Sequence, residues 1–424
     1  MPQMFGSAYS IKEKLYACYY MLISLLTMYL TKPDFMLSGM YRAVYLIMVI
    51  FPLFFHRKYI PMIFTLFVGF SFASFYPLLP SVDYFYPLIV LVLYFCCLPK
   101  LNTLLIFFLL LISYFFFIEA FSINSDYDFV IWITTALFLS ELINTPNGLK
   151  KILLAYVILS MMLSMLFIIN FDYFASQYMD SSLERSGWIN PNVFGGIIGL
   201  GTVCSFYILL NRQFDNRILR GIVLFTSILS CFVLIINASR GAIISTSIAI
   251  LFLFLTSTVK LSYKFLFLLM LAVFIFALYN FGYFELLETR FMSDNTESGG
   301  GRLDIWNAKF DAFWNLPIVN RIFGVGYSNC LSLGGIYMDT HNDFLTALFA
   351  YGYIGLVLFS CLLFAPLFIA PKHLRKQIVV FEIFLCFESM VLSPMMRGYF
   401  VFLMFLFVLY HLSYIERKAS NYNT

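Results

Sequence analysis

The chain has 424 residues, of which 62% are hydrophobic and only 11% are charged, with a net charge of +4. A soluble protein cannot have this composition, because it would carry too little polar surface to cover its exterior. Apolar runs of 16–25 residues alternate with short polar breaks. These runs fit transmembrane helices and are too long for barrel strands, so the sequence predicts an all-α polytopic membrane protein.

The apolar runs predict about fourteen helices in a single integral membrane domain covering residues 1–424. In chain order the helices are expected near residues 15–31, 42–56, 60–79, 85–98, 101–119, 128–144, 152–171, 192–211, 217–236, 241–258, 264–284, 344–370, 377–393 and 399–415. The first run follows Lys12 and Lys14 and has no small-residue cleavage site after it. It is therefore interpreted as a retained helix and not as a signal peptide.

The basic residues are distributed unevenly over the predicted loops. With the N-terminus inside, the cytoplasmic segments hold seventeen of the 26 basic residues and the outer segments hold nine. Because short cytoplasmic loops are enriched in Lys and Arg, this predicts that both termini are cytoplasmic. The one large hydrophilic segment, residues 285–343, then lies outside, and chemistry beyond the membrane is expected there.

His341 is the only one of the four histidines that is predicted on the outer face. It lies in Thr340-His341-Asn342-Asp343, directly before an apolar helix. A neutral imidazole can take a proton from a hydroxyl group near neutral pH, so His341 is a candidate general base. The alternative is structural: Thr340 or Asn342 caps the helix, and His341 is incidental.

Arginine, which binds phosphate oxygens in a bidentate manner, supplies seven of the nine outer basic residues. Arg240 lies in a very short turn between two apolar runs, where it is either a functional residue or an anchor that reaches the headgroups. Arg185 lies in a turn with Trp188 and Pro191, and its alternative reading is an exposed loop residue beside Glu184. The other candidate substrate-binding arginines are Arg290, Arg302 and Arg397.

Two segments near these arginines have their own expectations. Arg302 follows three glycines and begins a stretch with apolar residues at helical spacing. This pattern predicts a short amphipathic outer helix that lies on the membrane. An equally good interpretation is a surface helix with a solvated Arg302. The glycines could let that helix act as a lid. Glu388 interrupts an apolar helix near its outer end, and a partner is expected in Arg397 or Arg240. No nucleotide-binding or metal-binding motif is present, so no cofactor and no nucleic acid is predicted.

The region around His341 resembles the O-antigen ligase and polymerase superfamily. His341-Asn342, nine residues and then Gly352-Tyr353-Ile354-Gly355 match its His-Asn-x9-Gly-x-x-Gly signature. The stretches GGGRLDIW and IFGVG precede the signature in the superfamily's order, and the Asn190-Pro191-Asn192 and Ser239-Arg240-Gly241 turns also resemble it. The resemblance covers about residues 183–358. Ligases often have a leucine four residues after the key arginine, where this chain has Ile244.

The resemblance implies a multi-helix glycosyltransferase of the GT-C-like type in the bacterial inner membrane, with a periplasmic active site. Its donor and acceptor would be glycans on undecaprenyl diphosphate, used without a metal or a nucleotide sugar, and a chain-length regulator is a further candidate partner. By the resemblance, His341 would deprotonate the acceptor hydroxyl. Arg185 and Arg240 would bind the leaving diphosphate, while Arg302 would contact lipid or glycan.

The charge of the outer loop bears on the choice of acceptor. Residues 285–343 hold four basic and eight acidic groups, a net charge of −4. A ligase must receive the anionic core of lipopolysaccharide, which a basic loop would favour, so the acidic loop favours a polymerase, with the ligase as the alternative. A flippase or transporter is the alternative from another class. It would predict ionisable residues at helix centres, whereas the charges of the predicted helices lie near their ends.

Overall fold

The fold is all-helical wherever regular structure is described. The computed structural model of the chain describes residues 103–141, 148–171, 174, 191–211, 216–237, 239–257, single positions between 259 and 282, 302–392, 395, 396 and 400–422. The predicted helices at 15–31, 42–56, 60–79 and 85–98 lie outside these residues, as do Arg185, Arg290 and Arg397. The total of fourteen helices and the GT-C-like arrangement therefore stay predictions.

The helices of the described residues are numbered here in chain order. They are α1 Thr103–Ala120, α2 Asp128–Glu141, α3 Gly148–Ile169, α4 Pro191–Leu210, α5 Arg217–Ile236, α6 Arg240–Thr256, α7 Arg302–Trp314, α8 Ile318–Phe323, α9 Tyr327–Ser332, α10 Asp343–Ile369, α11 Lys372–Val391 and α12 Phe400–Tyr422. A short 3-10 turn, Leu333–Gly335, follows α9.

Five helices in the described part of the chain are long and apolar enough to cross a membrane. They are α1, α3, α4, α5 and α10, and α2, α6 and α12 contain shorter apolar stretches. The sequence prediction of an apolar helical protein is confirmed for these residues. It was less accurate at the ends of helices, because α11 begins at Lys372, five residues before the expected start.

α4 is the central helix of the described bundle, and nearly all of its side chains are buried. Small residues allow its neighbours to come close: a Cβ atom at Gly201 would lie 2.3 Å from the Cβ of Ser160 on α3. The Ser160 hydroxyl lies 2.8 Å from that of Ser230 on α5. Small residues and hydroxyl pairs of this kind are typical of helix contacts in membranes, where burial of apolar surface does not drive association.

Candidate functional site

His341 lies in a tight turn at the beginning of α10. Its φ angle of 52° is in the left-handed region, and it is the one residue other than glycine with positive φ in the described part of the chain. Left-handed backbone is uncommon for a side chain of this kind and persists only where the surroundings fix it. The turn therefore needs bonds on both sides of His341 that hold its backbone.

Thr340 and Asn342 supply those bonds. The Thr340 hydroxyl lies 2.6 Å from the Thr346 hydroxyl and accepts the backbone N–H of Asn342 at 3.2 Å. The Asn342 side-chain oxygen accepts the N–H of Leu345 at 3.1 Å and so caps α10. The capping interpretation of this motif is confirmed for Asn342, and this leaves only its amide NH2 group for a substrate.

The imidazole of His341 faces a carboxylate. Its Nδ1 lies 3.9 Å from Oδ2 of Asp339, with about a quarter of the histidine side chain exposed and the aspartate buried. This distance exceeds a hydrogen bond, yet a carboxylate on that side favours a proton on Nδ1. The other ring nitrogen, Nε2, is then the acceptor, as a general base requires.

Asp343 connects the His341 turn to the loop after α11. Its side chain is fully buried, and its two carboxylate oxygens accept the backbone N–H groups of Met395 and Met396 at 3.1 and 2.9 Å. Met396 directly precedes Arg397 in the sequence. Asp343 thus fixes the backbone that leads to one of the predicted arginines. Nothing in the sequence indicates this role beyond a charge at a helix start.

Arg240 begins α6, and its turn packs on the start of α4. Asn237 donates from its side chain to the carbonyl of Pro191 at 2.7 Å, and the Ser239 hydroxyl donates to the side chain of Asn192 at 3.1 Å. The two turns that sequence analysis singled out, Asn190-Pro191-Asn192 and Ser239-Arg240-Gly241, are therefore adjacent. A Cβ atom at Gly241 would lie 2.6 Å from Val391, near the end of α11.

These contacts define one end of the bundle, called here the site end. It consists of the N-termini of α4, α6 and α10 and the C-termini of α5 and α11. Val391 links it to the Arg240 turn, and the loop after α11 links it through Met395 and Met396 to Asp343. The structure thus brings the Arg240 turn and the His341 turn to the same end of the fold.

Glu388 is buried near the end of α11 and accepts a hydrogen bond from the Ser245 hydroxyl of α6 at 2.5 Å. The sequence predicts Arg397 or Arg240 as its partner, and Arg397 lies outside the described residues. Among the described residues a serine hydroxyl takes that place, and Arg240 forms no ion pair with this carboxylate. Glu388 therefore connects α11 to the helix that begins at Arg240, one turn further along.

Arg302 begins α7 and lies one helical turn before Trp306. The indole N–H of Trp306 donates to the carbonyl of Thr340 at 2.7 Å, which ties α7 to the His341 turn. The apolar side of α7 does not face outward as expected for a helix lying on a membrane. Phe310 and Phe313 pack on Phe349 of α10, with ring centroids 5.1 and 5.5 Å apart.

Lys309 was counted from the sequence as an outer basic residue, but its side chain is buried. Its Nζ donates to the carbonyls of Cys330 and Leu331 at 2.5 and 3.0 Å and reaches that of Leu333 at 3.4 Å. Burial lowers the pKa of Lys309, and the nearby Cys330 and Asp339 partly oppose that shift. Lys309 holds α7 against α9 and does not contribute a free cation to the site.

The glycines of the signature have a structural function. α10 is broken at Gly352, where φ is 69° and ψ is −168°. The N–H groups of Val325 and Gly326 donate to the carbonyl of Ala350 at 3.0 and 2.8 Å, just before this break. Gly324, with φ of 90°, leaves no room for a Cβ atom, which would lie 2.1 Å from the same carbonyl oxygen. The Gly-Val-Gly loop and the Gly352 kink are thus in direct backbone contact.

One ionisable residue does not fit the sequence prediction. Glu382 lies at the middle of α11, ten residues after Lys372 and nine before Val391. It is buried, and neither of its carboxylate oxygens has a hydrogen-bond partner. The expectation that charges lie only near helix ends was therefore wrong for this residue. Among the described residues, no group of three or more metal-ligating side chains is found.

A comparison with known families is consistent with this arrangement. Residues 225–360 match the family described as O-antigen ligase, a segment that includes the Arg240 turn, the His341 turn and both glycine motifs. The match supports the resemblance to the O-antigen polymerase/ligase superfamily that the motifs around His341 carry. The matched segment is about a third of the 424 residues. No curated protein sequence matches the chain. Members of the superfamily are glycosyltransferase-like enzymes.

Proposed function

We propose that the chain is an O-antigen polymerase, which joins oligosaccharide repeat units carried on undecaprenyl diphosphate at the periplasmic face of the inner membrane. His341 takes the proton of the acceptor hydroxyl on Nε2. The acceptor oxygen then bonds to the anomeric carbon of the donor sugar while the bond from that carbon to the diphosphate oxygen breaks. The diphosphate leaves with the electron pair, and Arg240 and Arg185 stabilise its charge.

The observation that carries this proposal is the fixed turn around His341. Its ring is partly exposed, its Nδ1 faces a buried carboxylate at 3.9 Å, and the bonds of Thr340 and Asn342 hold its backbone. A base that is already oriented loses little entropy when the acceptor hydroxyl arrives. The order of the reacting groups is a proposal that depends on this turn and on the family match.

Arg302, Arg290 and Arg397 are proposed to bind phosphate or glycan at the edges of the site, together with the amide of Asn342. Glu388 is proposed to act indirectly, because its hydrogen bond to Ser245 holds the helix that begins at Arg240. No step needs a metal ion or a nucleotide, since the charge of the leaving diphosphate can be balanced by arginines. A chain-length regulator is a proposed protein partner.

The ligase is the second candidate, because the matched family is described as O-antigen ligase. It would transfer the finished glycan to lipid A-core. The net charge of −4 over residues 285–343 favours the polymerase, since an excess of negative charge repels the phosphorylated core. A flippase is a third candidate, and the buried mid-helix Glu382 is the one observation in its favour.

The His341→Asn variant tests the proposed base. Apart from glycine, asparagine is among the residues that best tolerate left-handed backbone, so this change keeps the turn and removes the basic ring. We expect normal amounts of folded protein in the membrane and loss of long glycan, measured on gels of surface lipopolysaccharide. His373→Asn is the matched control, because His373 is an exposed histidine at the opposite end of α11. Wild-type glycan from the His341 variant would contradict the proposed mechanism.

The banding pattern of a strain lacking the gene separates the three candidates. Core carrying a single repeat, without the ladder, indicates a polymerase. Bare core with long glycan accumulating on its lipid carrier indicates a ligase. Bare core with single repeats retained on the carrier, and no long glycan, indicates a flippase.

A further inference from the structure

The segment that contains α7, α8 and α9 extends away from the site end, along the side of the bundle, further than its place in the sequence suggests. Residue positions along α10 give the distance from the site end, because a helix rises 1.5 Å per residue. α10 begins at Asp343, and the carbonyl of Ala350, seven residues further, accepts the N–H groups of Val325 and Gly326. The loop after α8 is therefore about 10 Å along α10 from the site end.

Contacts with α1 independently give a similar depth for the end of α8. α1 ends at Ala120, and its Tyr114 hydroxyl donates to the carbonyl of Phe323 at 3.3 Å and to that of Tyr351 at 2.8 Å. Tyr114 lies six residues before the end of α1, which corresponds to about 9 Å. The end of α8 thus lies one to two helical turns inside the ends of two candidate membrane spans.

α7 leads the chain down to this level. Near its beginning, Trp306 contacts Thr340, at the level of His341. Near its end, the ring of Phe313 lies 5.7 Å from that of Tyr353, ten residues into α10. α9 leads the chain back, since the N–H of Tyr327 donates to Glu119, one residue from the end of α1, at 2.8 Å. The segment therefore forms a hairpin with α8 at its lowest point.

The depth can be compared with the thickness of a bilayer. α10 has 27 residues and is about 40 Å long, about 10 Å more than the hydrocarbon core. If the excess is shared between its two ends, α8 lies roughly 5 Å below the hydrocarbon boundary. α1, with 18 residues, is about as long as the core is thick, and it places the end of α8 about 9 Å below that boundary.

The side chains at the lowest point are apolar and exposed. Ile318 and Val319 are 57% and 58% exposed, and Trp314 and Phe323 are also exposed. They lie between the exposed apolar faces of α1, which include Phe116 and Phe117, and of α10, which include Tyr353 and Val357. An exposed apolar surface that continues along membrane-spanning helices is suited to lipid.

The backbone of the turn after α8 meets the requirement for this depth. Non-helical backbone occurs at the level of the hydrocarbon only where its polar groups are bonded within protein. The turn after α8 satisfies this rule, because Gly324 donates to Asn320 at 2.8 Å and Val325 and Gly326 donate to Ala350. The glycines allow that close approach, as a Cβ atom at Gly324 would overlap α10.

We infer that residues 302–339 form a re-entrant helical hairpin whose two ends lie at the outer membrane surface. Its lowest part, α8, enters the outer half of the membrane and contacts lipid acyl chains through Ile318, Val319 and Phe323. Arg321 is also part of α8, with its guanidinium 6.0 Å from the ring of Trp314. A long arginine side chain a few ångströms below the hydrocarbon boundary can extend to the headgroups while its stem stays in apolar surroundings. This inference does not depend on the proposed reaction.

Single cysteines in membranes that are open on both sides test the depth. After replacement of the eight native cysteines, the test variants are Ile318→Cys and Val319→Cys, and the controls are Leu303→Cys and Tyr337→Cys. The control positions are 46% and 76% exposed, at the start of α7 and in the segment that returns to His341. Size-exclusion profiles check that each variant is folded.

We expect a charged maleimide to react readily with the control cysteines. Its reaction with the cysteines of α8 should be slower by about 10-fold or more, since a charged reagent is excluded from hydrocarbon. An uncharged spin label at the α8 positions should collide with dissolved oxygen and not with a water-soluble nickel complex. Labelling of Ile318→Cys at the rate of Tyr337→Cys would overturn the inference. Protection accompanied by cross-linking between Ile318→Cys residues of two molecules would assign the surface to a second copy, and would also overturn it.

Discussion

Replacing glycines by alanine tests the backbone contact between the Gly324 loop and the α10 kink. The chain contains a graded set. Gly352 combines positive φ with a Cβ position only 2.2 Å from the carbonyl oxygen of Ile322. Gly335 has positive φ and open space around it, whereas Gly221 lies in α5 with open space and ordinary helical φ. The three sites therefore separate the free-energy cost of positive φ in a residue with a Cβ atom from the cost of a steric clash of that atom.

The expected magnitudes follow from these differences. At Gly335, alanine costs about 1 to 2 kcal/mol, the penalty for left-handed backbone in a residue with a Cβ atom. At Gly352 the backbone lies in a region open essentially to glycine alone, which costs about 1 to 3 kcal/mol. Moving α8 away would also break the two bonds to Ala350, about 1 kcal/mol each, so the total is about 3 to 5 kcal/mol. At Gly221, alanine should stabilise α5 by up to about 1 kcal/mol.

The assay is the melting temperature of purified protein, read from the fraction that stays monodisperse in size-exclusion profiles after heating. We expect Gly352→Ala to melt lowest, Gly335→Ala to melt between it and the wild type, and Gly221→Ala to melt at or above the wild type. Equal melting of Gly352→Ala and Gly335→Ala would refute the reasoning, because it would mean that the contact with Ile322 adds nothing to the cost of positive φ.

Three other changes have defined outcomes. Asp343→Asn should reduce glycan synthesis, because the amide NH2 group cannot accept the N–H of Met395 or Met396; surface-glycan gels measure this, and wild-type ladders would contradict the positioning role. Lys309→Met should lower the melting temperature, since up to three carbonyls lose a donor at about 1 kcal/mol or more each; an unchanged melting temperature would contradict it. Burial raises the pKa of Cys330 to about 12 from 9.0, so the unfolded chain releases this proton first and stability falls between pH 9 and 12. Between pH 9 and pH 10 the free energy of unfolding should fall by about 1 kcal/mol more in the wild type than in Cys330→Ala.

The transmembrane part of the fold was predictable because it depends on length and apolar composition. Runs of about 20 apolar residues leave few alternatives to a helix, and the helices near 103–120, 191–210 and 217–236 were predicted to within two residues. The start of α11 was missed because its first turns carry Lys372, Arg375 and Lys376. Hydropathy assigns such residues to a loop, although a charged helix end at the surface is equally stable.

The segment from α7 to the start of α10 could not be predicted at the same level, since its packing uses backbone groups and buried charges. Lys309 is a surface residue by composition, and only the carbonyls of α9 make its burial favourable. Asp343 contributed only one negative charge to the loop count, because its partners are backbone N–H groups 52 and 53 residues away. His341 was identified correctly as a residue at a helix start, but its left-handed backbone depends on bonds that no spacing rule contains.

The start of α10 is fixed at separate points between Thr340 and Ala350. Asp343 bonds the loop after α11, the Thr340 carbonyl accepts from α7, and Ala350 accepts from the loop after α8. These hydrogen bonds come from different parts of the chain, so movement of the His341 turn would break several of them at once. A general base must stay within a fraction of an ångström of its productive position. The kink at Gly352 fits this requirement, because it is the break in α10 at which the loop after α8 makes its backbone contact.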